Sequence, residues 1–395
     1  MSEWKELSSI TSKIGSGLTP RGGNSVYTDN GISLIRSQNV LDMDFSTENL
    51  AYIDEVQAEK LKNVIVEKND ILLNITGDSI ARCTIVPEEI LPARVNQHVS
   101  IIRCKNTEQS KYVMYYLQYI KKYLLQISKV GGTRNALTKE AIGKLPIKIS
   151  DDCNKISKIL DNIDQKIHTN NQINQELEAM AKTLYDYWFV QFDFPDQNAK
   201  PYKSSGGKMV YNPELKREIP EGWGVESVGN LLDKVTKAEK IENNSIEFIG
   251  EIPVIDQSQK YIAGFTNNEN AILQPQDGHV IFGDHTRVVK YINFDYARGA
   301  DGTQVLISNN ENISNVLLYH MIEDFDLSNY GYARHFKFLK EKTVIVPDKE
   351  VSSKFETQAN VIYEKIKNNI FENQELTQLR DWLLPMLMNG QVKVE

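Results

Sequence analysis

A helical spacing pattern that occurs twice, 199 residues apart, constrains this chain more than any other feature. Ile156, Leu160, Ile163, Ile167, Asn170, Asn174, Leu177, Ala181, Leu184 and Trp188 follow an unbroken four-three spacing, the seam of a coiled coil. Phe355, Ala359, Ile362, Ile366, Asn369, Asn373, Leu376, Arg380, Leu383 and Leu387 repeat it. The polar positions Asn170 and Asn174 recur as Asn369 and Asn373. Asparagine on a buried seam costs stability and fixes register. Its recurrence predicts two helices that pair with each other antiparallel, each asparagine pair set against the other. A helix of roughly 37 residues is about 55 Å long at 1.5 Å per residue, the length of a spacer. Arg380 on the seam and Pro385 near its end weaken the second copy, because proline removes a donor and clashes with the preceding turn. The reliable part of that helix is therefore expected before Leu384.

The duplication extends beyond the helices. Trp4 matches Trp223 at an offset of 219, and Ile32-Ser33-Leu34-Ile35 matches Ile252-Pro253-Val254-Ile255 at 220. Gly77-Asp78 matches Gly283-Asp284, Gln97 matches Gln304, and Gly132-Thr133-Arg134-Asn135 matches Tyr332-Ala333-Arg334-His335. Offsets that keep their order and change in a few steps are what loop insertions in a duplicated domain produce. Apolar or alternating runs at 71–75, 99–102, 280–282, 288–292 and 343–346 read as strands, and 111–127 and 313–322 as helices. Residues 192–222 carry four prolines and Ser204-Ser205-Gly206-Gly207, the composition of an exposed linker. The expected fold is α/β. Two mixed α/β domains stand in tandem, each followed by a long coiled-coil helix: domain one at 1–150, its helix at 151–190, a linker at 191–220, domain two at 221–348 and its helix at 349–395.

Chemistry is limited by what the chain lacks. No GxxxxGK phosphate loop and no glycine-rich turn with an aromatic Asn/Asp-Pro-Pro-Tyr type site occurs, so neither ATP hydrolysis nor base methylation is expected. The six histidines have no paired metal spacing, and Cys83, Cys104 and Cys153 read as buried free thiols. Asp196 with Glu214 and Lys216 fits the loose PD…ExK pattern of magnesium nucleases, but in a Pro- and Gly-rich segment that would not fix its carboxylates. No catalytic residue and no metal site are expected. A polar N-terminus and the lack of a long apolar run predict a cytoplasmic protein without a membrane span. The net charge of −8 argues mildly against nucleic acid, yet residues 101–150 gather ten Lys and Arg against Glu108 and Glu140. The interleaved Tyr112, Tyr115, Tyr116, Tyr119 and Tyr123 read as the inward face of a helix.

Ser16-Gly17-Leu18-Thr19-Pro20-Arg21, Tyr27, Gly31 and Ile35-Arg36-Ser37-Gln38-Asn39-Val40 resemble the opening of a target-recognition domain in type I restriction-modification specificity subunits. Val280-Ile281-Phe282-Gly283-Asp284-His285-Thr286-Arg287 and Gly299-Ala300-Asp301-Gly302-Thr303 are similar to that family's second-domain pattern, and both long helices match its helical spacers. Domain two lacks the SGxTP opening and has Val235-Thr236-Lys237-Ala238-Glu239-Lys240 instead, so the two halves are expected to read different sequences. The resemblance implies a non-catalytic reader of double-stranded DNA that positions two methyltransferase (modification) subunits and, in the full complex, two restriction subunits. S-adenosylmethionine, ATP and Mg would then belong to those partners and no cofactor to this chain. A duplicated reader implies a bipartite, asymmetric target with half-sites one helical turn, roughly 34 Å, or a multiple apart. Polar, basic, glycine-flanked loops supply the candidate DNA contacts: Thr19, Arg21, Lys129, Arg134 and Asn135 in domain one, and His285, Arg287, Arg298, Arg334 and His335 in domain two.

Overall fold

The computed structural model describes residues 3–20, 22–129, 135–233, 235, 238–300, 302–328 and 334–394, apart from the Asn24 side chain. The chain forms two compact units, Met1–His168 with Asn373–Glu395, and Thr169–Glu372. Each unit thus takes one end of each long helix.

Unit one is built on two four-stranded sheets. In the first, Ile71–Asn74 lies between Cys83–Ile85 and Val99–Cys104, and Thr11–Ser16 closes the far edge. All four residues of Ile71–Asn74 are buried, which is why this strand reads as a continuous apolar run. Ile71 and Leu73 face a helical layer containing Tyr112, Tyr115 and Leu117, whereas Leu72 faces the second sheet with Val95, Val99 and Ile101. In that second sheet Ile32–Ile35 pairs antiparallel with Ala51–Ile53 and parallel with Ala93–Val95, which also pairs with Ile65–Val66.

Unit two repeats this plan strand for strand. Leu232–Asp233, Thr303–Ser308, His279–Gly283 and Val289–Ile292 form one sheet, and Gly264–Thr266, Ile252–Ile255, Tyr296–Arg298 and Ile272–Leu273 the other, with the same order and the same single parallel pair. Val280 and Phe282 face the helical layer with Leu317 and Leu318, while Ile281 faces the opposite side with Ile255 and Tyr296.

Hydrogen-bond register corrects three of the residue matches read from the sequence. Leu7 donates its N–H to the Leu145 carbonyl and Val228 to that of Lys342, so these two are counterparts. Trp4, 62% exposed, is therefore not the counterpart of Trp223, 7% exposed, whose Nε1 donates to Asp348. Gly283 ends its strand opposite Thr303 and corresponds to Asn74, whereas Gly77 lies in the turn beyond; Gln304 corresponds in the same way to Ser100 and not to Gln97. Identity of residue type had matched positions that the backbone ladders do not equate.

The long helices run Cys153–Tyr185, continued by a π turn at Asp186–Val190, and Lys349–Asn389. The second passes through Pro385 instead of ending before Leu384. Leu384, Leu387 and Met388 are buried in unit one beside Ile156 and Leu160, and this packing outweighs one lost backbone bond in the last turns. Arg380 is not a defect of the seam: its guanidinium meets Asp164 at 2.7 Å, and the Tyr115 hydroxyl donates to the other carboxylate oxygen. Burial holds the Asp164 carboxyl above its ordinary range against the pull of Arg380 and Tyr115. In unit two, Asn369 donates to Asn174 at 2.8 Å, Asn170 donates to Glu372 at 2.8 Å, and Ala181 and Phe355 share one core.

Residues 191–220 are not a loose linker. Met209–Asn212 and Arg217–Pro220 form a hairpin, and Phe194 stacks between Tyr202 at 4.6 Å and Trp223 at 4.9 Å in the core of unit two. Apolar burial of aromatic rings, each hiding on the order of 150–250 Å², overrides the turn-rich composition. Cys83, Cys104 and Cys153 are buried free thiols. No helix among the described residues is long and apolar enough to cross a membrane.

Candidate nucleic-acid interface

At one end of the sheets in unit one, four loops converge on an open cleft of about 880 Å³ lined by Ser37, Gln38, Thr76, Gly77, Asp78, Ser79, Arg82, His98, Asn135 and Ala136. Each wall is fixed from behind. Asn74, buried at the end of its strand, donates its side-chain amide to the carbonyls of Ser37 at 2.9 Å and Val40 at 3.2 Å. Asn39 is also buried and donates to the carbonyls of Ser46 and Glu48. Within the Arg36-to-Val40 motif the asparagine is thus structural, and Gln38 is the exposed member. Ile75 donates to the His98 carbonyl and Leu137 to that of Ile75, and a Thr76–Ala136 bridge carries Asn135 to the rim. The His98 Nδ1 lies 2.6 Å from the Thr76 hydroxyl.

Gly17 explains the SGxTP opening in part. It donates its N–H to the Asn96 carbonyl, and a Cβ there would collide with the backbone of Val95. The motif lets the chain leave the sheet edge closely packed, with Thr19 exposed beyond it.

In unit two the corresponding loops meet around Gln257 and Asp284. The Gln257 Oε1 accepts from the His285 N–H at 3.1 Å, and its carbonyl accepts from the Thr286 hydroxyl at 2.6 Å. Gly302, at φ +72°, sits where a Cβ would strike the Gln257 amide. Asp284 ties three segments: its N–H donates to the Gly302 carbonyl, its carbonyl accepts from the His335 N–H, and its carboxylate accepts from the Phe336 N–H at 2.8 Å. The loop after Ile255 is clamped by Lys290, which donates to the carbonyls of Asp256 and Lys260. Burial pulls its ammonium down to about 8, partly opposed by Asp256. The loop held by Asn74 in one unit is therefore held by a buried lysine in the other.

Of the residues nominated from the sequence, Asn135 lines the cleft of unit one, whereas Thr19 and Lys129 are exposed and do not line it. Arg21 and Arg134 lie outside the described residues. In unit two His285 and Arg287 are exposed on the turn, Arg287 at φ +65°, and Arg334 is exposed next in sequence to His335, whose N–H donates to the Asp284 carbonyl. Arg298 is half-buried at a strand end bonded to Ile241. His335 is 4% exposed with Nδ1 2.9 Å from the Asp284 carbonyl, which makes it a support of the loop. Sequence reading missed Arg82, His98 as a cleft residue, and Gln257; only assembly of separate loops brings them together.

The basic segment 101–150 is largely spent internally. Arg103 forks onto buried Asp70 with two bonds of 2.8 Å, Lys111 pairs with Asp161, Lys121 with Asp42 and Lys144 with Glu140. Tyr112, Tyr115 and Tyr116 are buried, and Tyr123 is 48% exposed. Asp196, the acid of the nuclease-like pattern, accepts from the N–H groups of Asn198 and Lys200 and so caps a turn.

Each unit thus gathers loops at one end of its sheets, around an open cleft in unit one and around Gln257 and Asp284 in unit two. Residues 6–179 match the family profile of the type I restriction modification DNA specificity domain. The chain is 26% identical over 341 residues to the type I restriction enzyme MjaIX specificity subunit of Methanocaldococcus jannaschii, covering 77% of this chain and 74% of that protein. It is 22% identical over 474 residues to the type I restriction enzyme HindI specificity subunit of Haemophilus influenzae, covering 99% and 100%. Its fold is similar to the crystal structure of the type I restriction-modification system S subunit from M. genitalium, with a TM-score of 0.55 at 13% identity over 98% of this chain and 96% of that one.

Proposed function

We propose that this chain is the non-catalytic DNA specificity subunit of a type I restriction-modification complex, reading a bipartite, asymmetric target with one unit per half-site. The observation that carries this reading is the duplicated sheet plan with a loop cluster at the same place in each copy. Different residues on the two clusters favour two different half-sites. The contacts of Asn174 with Asn369, Asn170 with Glu372 and Asp164 with Arg380 support antiparallel pairing of the long helices. A paired spacer of this kind would fix the nonspecific gap. In this reading methylation, with S-adenosylmethionine, resides on two methyltransferase subunits, ATP- and Mg-dependent translocation and cleavage reside on two restriction subunits, and the complex works in the cytoplasm. In this reading Asn135, His285, Arg287 and Arg334 would contact DNA, Thr19, Lys129 and Arg298 are further candidates, and His335 acts through the loop it holds.

The test is to map N6-methyladenine in DNA from cells that express a methyltransferase subunit with and without this chain. A bipartite motif of constant gap that appears only with the chain is the expected result. No new motif despite assembly with the methyltransferase subunit would overturn the proposal.

A further inference from the structure

We infer that the cleft of unit one reads a G·C pair from the major groove, with Arg82 donating to guanine O6 and N7 and Asp78 accepting from the cytosine amino group. This inference rests on the specificity reading proposed above and adds the bases and residues of one position. Arg82 is the single Lys or Arg among the residues lining the cleft, and its guanidinium makes no ion pair among the described residues. Most other cations of this unit are already engaged, Arg103 by Asp70 and Lys121 by Asp42 among them. The base of Arg82 is rigid: its N–H donates to the Ser79 carbonyl and its carbonyl accepts from Asn74, the residue that also clamps the facing loop. A five-donor fork held at its root and open at its tip is suited to the paired acceptors of guanine.

Asp78 decides between base and phosphate. It lines the same cleft, is exposed, and makes no ion pair among the described residues. A carboxylate there repels a phosphate backbone, whereas aspartate accepts from the cytosine N4 amino group in the groove that distinguishes all four base pairs. Gln38 and Asn135 add neutral donors and acceptors on the rim. Unit two cannot repeat this device. Register puts Val288 where unit one has Arg82, since both carbonyls accept from the strand-ending residue, Asn74 or Gly283. The turn before it has three residues, 284–286, between the bonded pair Gly283 and Arg287, against six, 75–80, between Asn74 and Ala81.

Arg82→Gln, Arg82→Lys and Asp78→Asn full-length chains, each assembled with the methyltransferase subunit, are compared with wild type by sequencing the methylated adenines. The expected result is loss of guanine preference at one position of one half-site, by roughly 5- to 150-fold in discrimination, with the other half-site and the gap unchanged. Arg82→Lys should lose that preference as Arg82→Gln does, because a single ammonium cannot grip two acceptors. Asp78→Asn should loosen the same base pair. An unchanged motif in all three variants, or a uniform fall at every sequence that Arg82→Lys rescues, would overturn the inference, the latter by assigning Arg82 to phosphate. A wild-type complex with no motif at all would instead overturn the specificity reading, and this inference with it.

Discussion

Asn369 donates its side-chain amide to Oδ1 of Asn174 across 2.8 Å, and Asn369 is 2% exposed. Asn170, 1% exposed and equivalent to Asn369 in the repeat, finds Glu372. Replacing Asn369 alone by Leu strands the Asn174 amide and should cost roughly 1–3 kcal/mol in chemical denaturation. The double change Asn174→Leu with Asn369→Leu should recover that loss and permit slipped pairing, visible as heterogeneous species in light scattering. A double variant as homogeneous as wild type would show that the amides do not set register.

Arg380 and Asp164 form a buried pair, with side chains 13% and 17% exposed. Asp164→Ala leaves the Arg380 guanidinium with only the more exposed Asp381 as partner, and roughly 1.5–3 kcal/mol of stability should be lost. Tyr115→Phe removes only a hydroxyl that donates to Asp164 and should cost about 1 kcal/mol. Urea titrations of the two variants should preserve that ranking.

His279 lies at the start of a central strand, 3.1 Å from the Tyr296 hydroxyl, and burial lowers its imidazole to about 4. The unfolded chain binds this proton near the ordinary value of about 6.5, so stability from the neutral ring is complete above that pH and is lost as pH falls toward 4. The loss is at most about 3 kcal/mol, less for a ring that keeps some exposure. Thermal melts of His279→Gln should show a flatter pH dependence between 6.5 and 4 than wild type.

Asp284→Ala removes the acceptor of the Phe336 N–H and loosens the joint between the 283–287 turn and residues 335–336. Stability should fall by about 1–3 kcal/mol. The methylated motif should become degenerate in the half-site read by unit two while the other half-site is kept. Equal degeneracy in both halves would assign Asp284 to stability alone.

The seam of the long helices was legible because four-three spacing is a local periodicity, and so were strands such as Ile71–Asn74, whose burial on both faces leaves an unbroken apolar run. The duplication was legible from ordered offsets alone. Which residues of the two copies are true counterparts was not, because Leu7 and Val228 are equated by hydrogen bonds to Leu145 and Lys342 and not by their identity. Of the candidate loops, the sequence singled out Asn135, which lines the cleft of unit one, and His285 and Arg287, which are exposed on their turn. Arg82, His98 and Gln257 have no local signature.

The sequence by itself determined the elements and their repetition, since periodicity, apolar runs and turn residues act over a few positions along the chain. Tertiary structure alone decided that Phe192, Phe194 and Ile219 within residues 191–220 pack into a core, that Arg380 has Asp164 as partner, and that Gln38, Arg82 and Asn135 face one cleft. Those outcomes depend on burial and hydrogen bonding between segments tens to hundreds of residues apart, and the free energy of such contacts exists only once the sheets have brought the segments together.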